Sequence, residues 1–224
     1  MIEVVTSRNA LLYQDALQDM FRLRHRSLAK AANGWREPAR PDKDQFDTAD
    51  ALYLLLTEDD GMVIGAHRML PTTGPHFFSD VAPECCDVRG VQRGEKILEL
   101  TRSFVDEEGL DTPARETARK RLTVGLFEFC LRAGYEKFTW LMPTGLLFDL
   151  LLIGLNIKPL GMPADQNGDW QIAVIVTVDR AALDAVRLAL QVPEAQVDYV
   201  GAPAGDPLVL APFDAPPQPL AAAE

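Results

Sequence analysis

The stretch ILELTRSFV, residues Ile97 to Val105, has the composition of a buried β-strand and two charges that such a strand should not hold. Strand side chains alternate between faces, so Leu98, Leu100 and Phe104 are expected on one side. Strict alternation puts Arg102 on that same apolar side and Glu99 on the other. A buried charge without a partner is costly. The strand is therefore expected near the centre of a sheet, next to a polar site inside the protein.

The segments around it follow helix and strand periods in turn. Residues 10–31 read as a helix, with Tyr13, Leu17, Met20, Arg24 and Leu28 on one stripe and Arg22 and Arg26 pointing away. Residues 32–48 read as a loop broken by Gly34, Pro38 and Pro41. ALYLLLT and MVIGAHRML pair as a hairpin about EDDG, with Ile64, Ala66, Arg68 and Leu70 sharing a face. Residues 76–94 look irregular. TPARETARKRLTVGLFEFCLRAG is a helix with Thr112 as N-cap, Pro113 in its first turn and Gly134 near its end. KFTWLM is a strand, TGLLFDLLLIG a short apolar helix, NIKPLG a strand, and WQIAVIVTV a strong strand. DRAALDAVRLAL is a helix opened by Asp179. Residues 1–200 then form one α/β domain, a three-layer α/β/α sandwich with a mixed central sheet. The strands near 98–105, 137–142 and 170–178 are expected at its centre. The Pro- and Ala-rich residues 201–224 are expected to be mostly disordered.

Composition excludes several classes. The 224 residues, 47% hydrophobic and 25% charged, suit a globular chain with a full core. No apolar run reaches membrane-spanning length, and MIEVVTSRNALLYQD lacks the pattern of a leader, so no membrane association and a cytoplasmic location are expected. Three cysteines, two of them adjacent (Cys85, Cys86) and none in a CxxC, suggest neither disulfides nor a zinc site. His25, His67 and His76 lack metal-ligand spacing, so no metal is expected. There is no G-x-S-x-G, and no histidine pairs with Cys130. The net charge of −11 argues against nucleic acid.

Arg102 is one of three arginines in apolar positions. Arg24 interrupts the helix stripe and Arg68 the inner face of a hairpin strand. Glu99, Asp44 and Asp47 are the acids at hand. For any one of these arginines a structural ion pair is the simpler reading. Three on separate elements point to a shared internal site, one that suits a zwitterionic ligand with a carboxylate and a cationic centre. Trp35 is either a core anchor or a platform for a flat or cationic group.

These residues, in this order, resemble the acyl-homoserine-lactone synthases, the autoinducer synthases of bacterial quorum sensing. The motifs are R-x-R-H-R…G-W (22–35), D-Q-F-D (44–47), G-x-x-R-M-L-P-T-T-G-P (65–75) and E-L-T-R (99–102). KPLGMPADQNGDWQIAVIVTVD is most similar to the rhizobial branch that makes branched-chain or aryl homoserine lactones. The chain differs from the family pattern at Leu28, usually aromatic, and at Thr101, usually Ser. The resemblance implies a GNAT-like fold with a bulge in the central strand. It implies acylation of the amine of S-adenosylmethionine from an acyl thioester, lactonisation, and release of 5′-methylthioadenosine. Both reactants are substrates, and no separate cofactor is implied. Carried over by motif, Glu99 and Arg102 are catalytic, with Glu99 as general base. Arg24, Leu28, Trp35, Asp44, Asp47, Arg68, Thr101, Ser103 and Phe104 bind S-adenosylmethionine. Trp140, Met142, Thr144, Gly145, Leu146 and Phe148 line the acyl pocket.

Acyl-CoA is favoured over acyl carrier protein, because a chain at −11 repels an acidic carrier. The apolar pocket, with Met142 and Pro143 where 3-oxo users tend to carry Thr, predicts an unsubstituted, branched or aryl acyl group over its 3-oxo counterpart. Another GNAT-like N-acyltransferase and a non-catalytic ligand-binding relative remain as alternatives.

Overall fold

The computed structural model describes residues 1–31, 43–166 and 168–198, apart from the side chains of 28–31, 166 and 198. Its strands are β1 (Ile2–Val5), β2 (Leu52–Thr57), β3 (Val63–Pro71), β4 (Ile97–Val105), β5 (Lys137–Pro143), β6 (Ile157–Pro159), β7 (Ala164–Gln166), β8 (Asp169–Thr177) and β9 (Val197–Asp198). Its helices are α1 (Gln14–Ala31), α2 (Phe77–Asp80), α3 (Thr112–Arg132), α4 (Thr144–Leu152) and α5 (Arg180–Leu190). The nine strands form one mixed sheet in the order β6-β8-β5-β4-β3-β2-β1-β9, with β7 paired to β8. β4 and β5 are parallel, and the crossover between them is α3. The centre is thus β3, β4 and β5. The strong strand β8 lies nearer the edge than expected, because the short β6 and β7 flank it.

One face of the sheet carries a single core. Leu54, Leu98, Leu100, Met142 and Val174 pack there beneath α3, α4 and α5. The other face is divided. α1 covers Val5, Tyr53, Leu55, Ala66, Leu70 and Phe104. α2 and the 3-10 turn Pro83–Cys86 cover Ala173 and Ile175. β4 runs between these two covers, and that division leaves room for polar groups at the centre of the sheet.

A bulge in β4 resolves the contradiction in ILELTRSFV. Ala66 pairs with Phe104 and Arg68 with Thr101, so His67 alone opposes Arg102 and Ser103. Arg102 takes a left-handed φ of +48°. The extra residue reverses the facing beyond it. Leu98 and Leu100 enter the α3-side core, whereas Phe104 enters the α1-side core. The expectation that all three share a side is corrected accordingly. A second irregularity pairs Leu56 with Gly65 and Thr57 with Val63, so Ile64 is the extra residue there. Ile64 joins the α3-side core, not the α1-side core that takes Ala66 and Leu70.

The N-cap of α3 is Asp111, not Thr112: its Oδ1 accepts from the Ala114 N–H at 2.9 Å. Asp179 caps α5 as read, accepting from the Ala182 N–H at 2.8 Å. Strands β1, β7 and β9 have two to four residues, too few for a periodic signal. Buried Glu128 of α3 anchors the last strand, accepting from the Gln196 and Val197 N–H groups and from Arg187. No helix among the described residues is long and apolar enough to cross a membrane. The 201–224 tail lies outside the described residues.

Candidate active site

The three arginines meet in one network. Arg24 of α1 makes a two-pronged contact to Asp47, at 2.9 and 2.6 Å. Arg68 of β3 bridges both acids, at 2.5 and 3.1 Å to Asp44 and 2.9 Å to Asp47. Arg102 reaches Asp44 from the bulge at 2.9 Å through Nε. The turn Asp44–Asp47 is tied by its own side chains: Asp47 accepts from the Asp44 N–H, and Asp44 from the Phe46 N–H. Tyr53, which faces Arg68 across the hairpin, donates its hydroxyl to Asp47 at 2.8 Å. Thr101 accepts from the Arg68 Nε at 3.0 Å. Bidentate, charge-assisted bonds of this kind compensate the desolvation of buried ions.

The network has an inside and an edge. The Asp47 side chain is fully buried and receives donors on both oxygens from Arg24, Arg68, Tyr53 and the Asp44 backbone. Asp44 and Arg102 keep side-chain exposures of 18% and 29%. Burial alone would raise both carboxyls. Hydrogen bonds and charge from Arg68, joined by Arg24 at Asp47, outweigh it and hold both below the usual carboxylate range. Burial and the adjacent Asp47 push the Tyr53 hydroxyl far up, so Tyr53 stays a neutral donor.

Glu99 lies on the same face, two residues from Thr101, and is 1% exposed. It turns toward α2, where its oxygens accept from the Phe77 N–H at 2.6 Å and the Phe78 N–H at 2.9 Å. Burial pushes its carboxyl up to about 7, against the opposing pull of those two N–H groups and of Arg68. A carboxyl so placed is divided between acid and base at neutral pH.

The gap beside this site comes from the strands themselves. β4 and β5 pair only as far as Leu100 and Trp140, although both strands continue. The bulge therefore lies where two central strands stop pairing. Trp140, Met142 and Leu146 pack on the α3-side core, so the expected acyl pocket and the Arg–Asp network occupy opposite faces of the sheet. Thr144 opens α4, and Gly145 has open space around it. Phe148 does not line the interior: it is 69% exposed. Leu146, Leu147 and Leu150 form the inner stripe of α4, and the helix period turns Phe148 away from them. Ser103 is exposed at the bulge, and Phe104 is a core residue. The Leu28 side chain and all of Trp35 lie outside the described residues. Among the described residues no cluster of His, Cys, Asp or Glu is arranged to hold a metal ion.

The family described as autoinducer synthase matches residues 8–186. This chain belongs to that family. The isovaleryl-homoserine lactone synthase of Bradyrhizobium diazoefficiens is 33% identical over 196 residues, covering 86% of this chain and 87% of that one. A solved CoA-dependent acyl-homoserine lactone synthase, with SAM and isopentyl-CoA, matches with TM-score 0.79 at 32% identity over 90% of this chain and 94% of that one. A second CoA-dependent acyl-homoserine lactone synthase matches with TM-score 0.77 at 29% identity, over 88% and 98%. An N-acetyltransferase from Lactobacillus plantarum, TM-score 0.50 at 13% identity over 80% of this chain and 99% of that one, shares the fold alone. The GNAT-like three-layer expectation is met, and the autoinducer synthase family places this chain among acyltransferases.

Some groups in and around this site carry little or no sequence signal. Tyr53 was legible in principle, because the hairpin register set by EDDG pairs it with Arg68. The backbone N–H groups of Phe77 and Phe78 carry no sequence signal. His67 had none beyond its place opposite the bulge.

Proposed function

We propose that this chain acylates the α-amine of S-adenosylmethionine from an acyl-CoA, closes the homoserine lactone and releases 5′-methylthioadenosine. The carrying observation is a base-poised Glu99 and a half-open Arg102–Asp44 edge, both at a bulge beside the gap between β4 and β5. Arg102 offers its guanidinium to the substrate carboxylate, and Asp44 its oxygens to a cationic centre. Glu99 takes the ammonium proton. Each of its oxygens already accepts one N–H but retains a second lone pair. The free amine attacks the thioester carbonyl, which is polarised by backbone N–H groups at 101–103. The C–N bond forms, the C–S bond breaks, and the CoA thiol leaves. The substrate carboxylate then attacks the carbon beside the sulfonium, and a neutral thioether departs. Orientation into a ring carries that step.

The pH dependence follows from Glu99. Its raised pKa means that the fold favours the protonated form, a contribution present below about pH 4.3 and lost as pH rises through about 7. Acylation needs the ionised form, so kcat/KM is expected to rise about tenfold per pH unit below about 7 and to level above it. A limb placed near pH 4–5 instead would remove Glu99 from the base role.

The reading favours acyl-CoA over acyl carrier protein because the chain is strongly acidic overall and the basic segment 115–121 is partly neutralised. Arg115 and Arg119 share Glu107 and Lys120 pairs with Glu116, while Arg121 meets only the uncharged Gln196. Acyl-CoA is expected to give the higher kcat/KM, and equal or better turnover with the matching acyl carrier protein would overturn that preference.

Mass spectrometry of extracts from an expressing host tests the whole reading. Acyl-homoserine lactone is expected. An N-acylated amine formed without S-adenosylmethionine would favour a different GNAT-like transferase. No new acylated product would favour a ligand-binding role.

A further inference from the structure

His67 is a buried polar side chain for which the chemistry above has no use. It is 5% exposed; one ring nitrogen lies toward the Leu122 backbone of α3 in loose hydrogen-bond geometry, and the other has no partner. Native interiors seldom leave such a group unpaired. Burial lowers its pKa to about 4, with the Leu122 backbone pulling weakly the other way, so the ring is neutral. A neutral imidazole presents one N–H donor and one bare acceptor nitrogen.

Its position indicates what it meets. Alternation along β3 puts His67 on the face opposite Arg68, the face of Met69 and Leu100. Across β4 it stands opposite Arg102 and Ser103, the two bulge residues. Adjacent strands are separated by only about 4.8 Å. An acyl group whose thioester carbonyl sits at that bulge, and whose chain runs toward Leu100 and Met142, brings its first carbons to the same core as this ring.

We propose that His67 is a specificity-determining residue of the acyl site, forming one hydrogen bond to a hydroxyl near the thioester, so that 3-hydroxyacyl-CoA is preferred to the unsubstituted donor. The inference rests on the acyltransferase reading above. With its one N–H held toward the Leu122 carbonyl, the ring has only an acceptor nitrogen left: a 3-hydroxyl can donate to it, whereas a 3-oxo oxygen, itself an acceptor, cannot and sets two lone pairs against each other. A site with a hydrogen-bonding group in place discriminates against a substrate that leaves the group unpaired.

The test uses the purified full chain with saturating S-adenosylmethionine and CoA thioesters of the butanoyl and octanoyl series. Each series includes the unsubstituted, 3-hydroxy and 3-oxo members. In the series turned over best, the 3-hydroxy member is expected to exceed the unsubstituted one in kcat/KM by about tenfold, about 1.4 kcal/mol, with the 3-oxo member lowest. His67→Leu is expected to bring the hydroxy-to-unsubstituted ratio to one or below. His67→Gln, which keeps a donor and an acceptor, is expected to retain part of it. A ratio within one preparation does not move with the folded fraction, so a merely structural role would leave it unchanged. Equal wild-type efficiency for 3-hydroxy and unsubstituted donors, or an unchanged ratio in His67→Leu, would overturn the assignment while leaving the acyltransferase reading intact. No product with any donor of either series would overturn both.

Discussion

Arg68→Ala is expected to lower the unfolding free energy by about 3–5 kcal/mol, the scale for breaking a buried ion pair. Arg68 is the cation that separates two acids. It contacts both Asp44 and Asp47, and without it those carboxylates repel each other inside the protein. Arg24→Ala should cost a similar amount, because the Asp47 carboxylate is fully buried and has no solvent to replace the lost donor. Arg102→Ala should cost much less stability, since its side chain is part exposed and it pairs at the open edge. Its loss should appear in activity. The sign with pH is fixed. Both aspartates titrate below their ordinary range, so their contribution is present above about pH 4 and lost as pH falls through the folded values. The penalty in Arg68→Ala should therefore shrink toward acid, where one carboxyl can take a proton. Urea unfolding at pH 7 and pH 4 measures this. Wild-type midpoints for Arg68→Ala and Arg24→Ala would show that the network contributes nothing to folding.

Glu99→Gln is expected to reduce acylation by at least about 10²-fold, the usual scale for a general base, or about 2.7 kcal/mol in the barrier. The amide keeps the volume, and its oxygen can still accept one of the Phe77 and Phe78 N–H groups. The other N–H then faces an NH₂, so a modest loss of stability accompanies the kinetic loss. Binding of S-adenosylmethionine should largely persist, because the Arg–Asp network does not involve this side chain in hydrogen bonding. Isothermal titration alongside single-turnover kinetics separates the two effects. Near-wild-type single-turnover rates would remove Glu99 from the base role. Weakened binding with unchanged chemistry would make it a positioning residue for α2.

Much of the architecture was legible because it rests on local periodicity. The 3.6-residue stripe of α1, the hairpin about EDDG, the apolar strands and the Asp179 cap are each set by neighbours close in sequence. The need for a polar site was legible too, since arginines at positions 24, 68 and 102 interrupt apolar patterns and require partners. Which acid serves which arginine was not. Asp47 is 23 residues from Arg24 and Asp44 is 58 from Arg102, and no local rule spans such distances. The cap of α3 was misplaced by one residue because Asp111 and Thr112 are both good caps in sequence, and only backbone geometry chooses between them.

The sequence by itself determined the α/β class and the family, because hydrophobic period and motif order survive without coordinates. Tertiary structure decided the facing of ILELTRSFV. A bulge inserts one residue and reverses every side chain beyond it, and its cause is the register against β3, not anything within the nine residues. It also decided the protonation of Glu99. A carboxyl near 7 is the balance of burial under α2 against two backbone N–H groups and a distant arginine, and these terms exist only once the chain has closed around it.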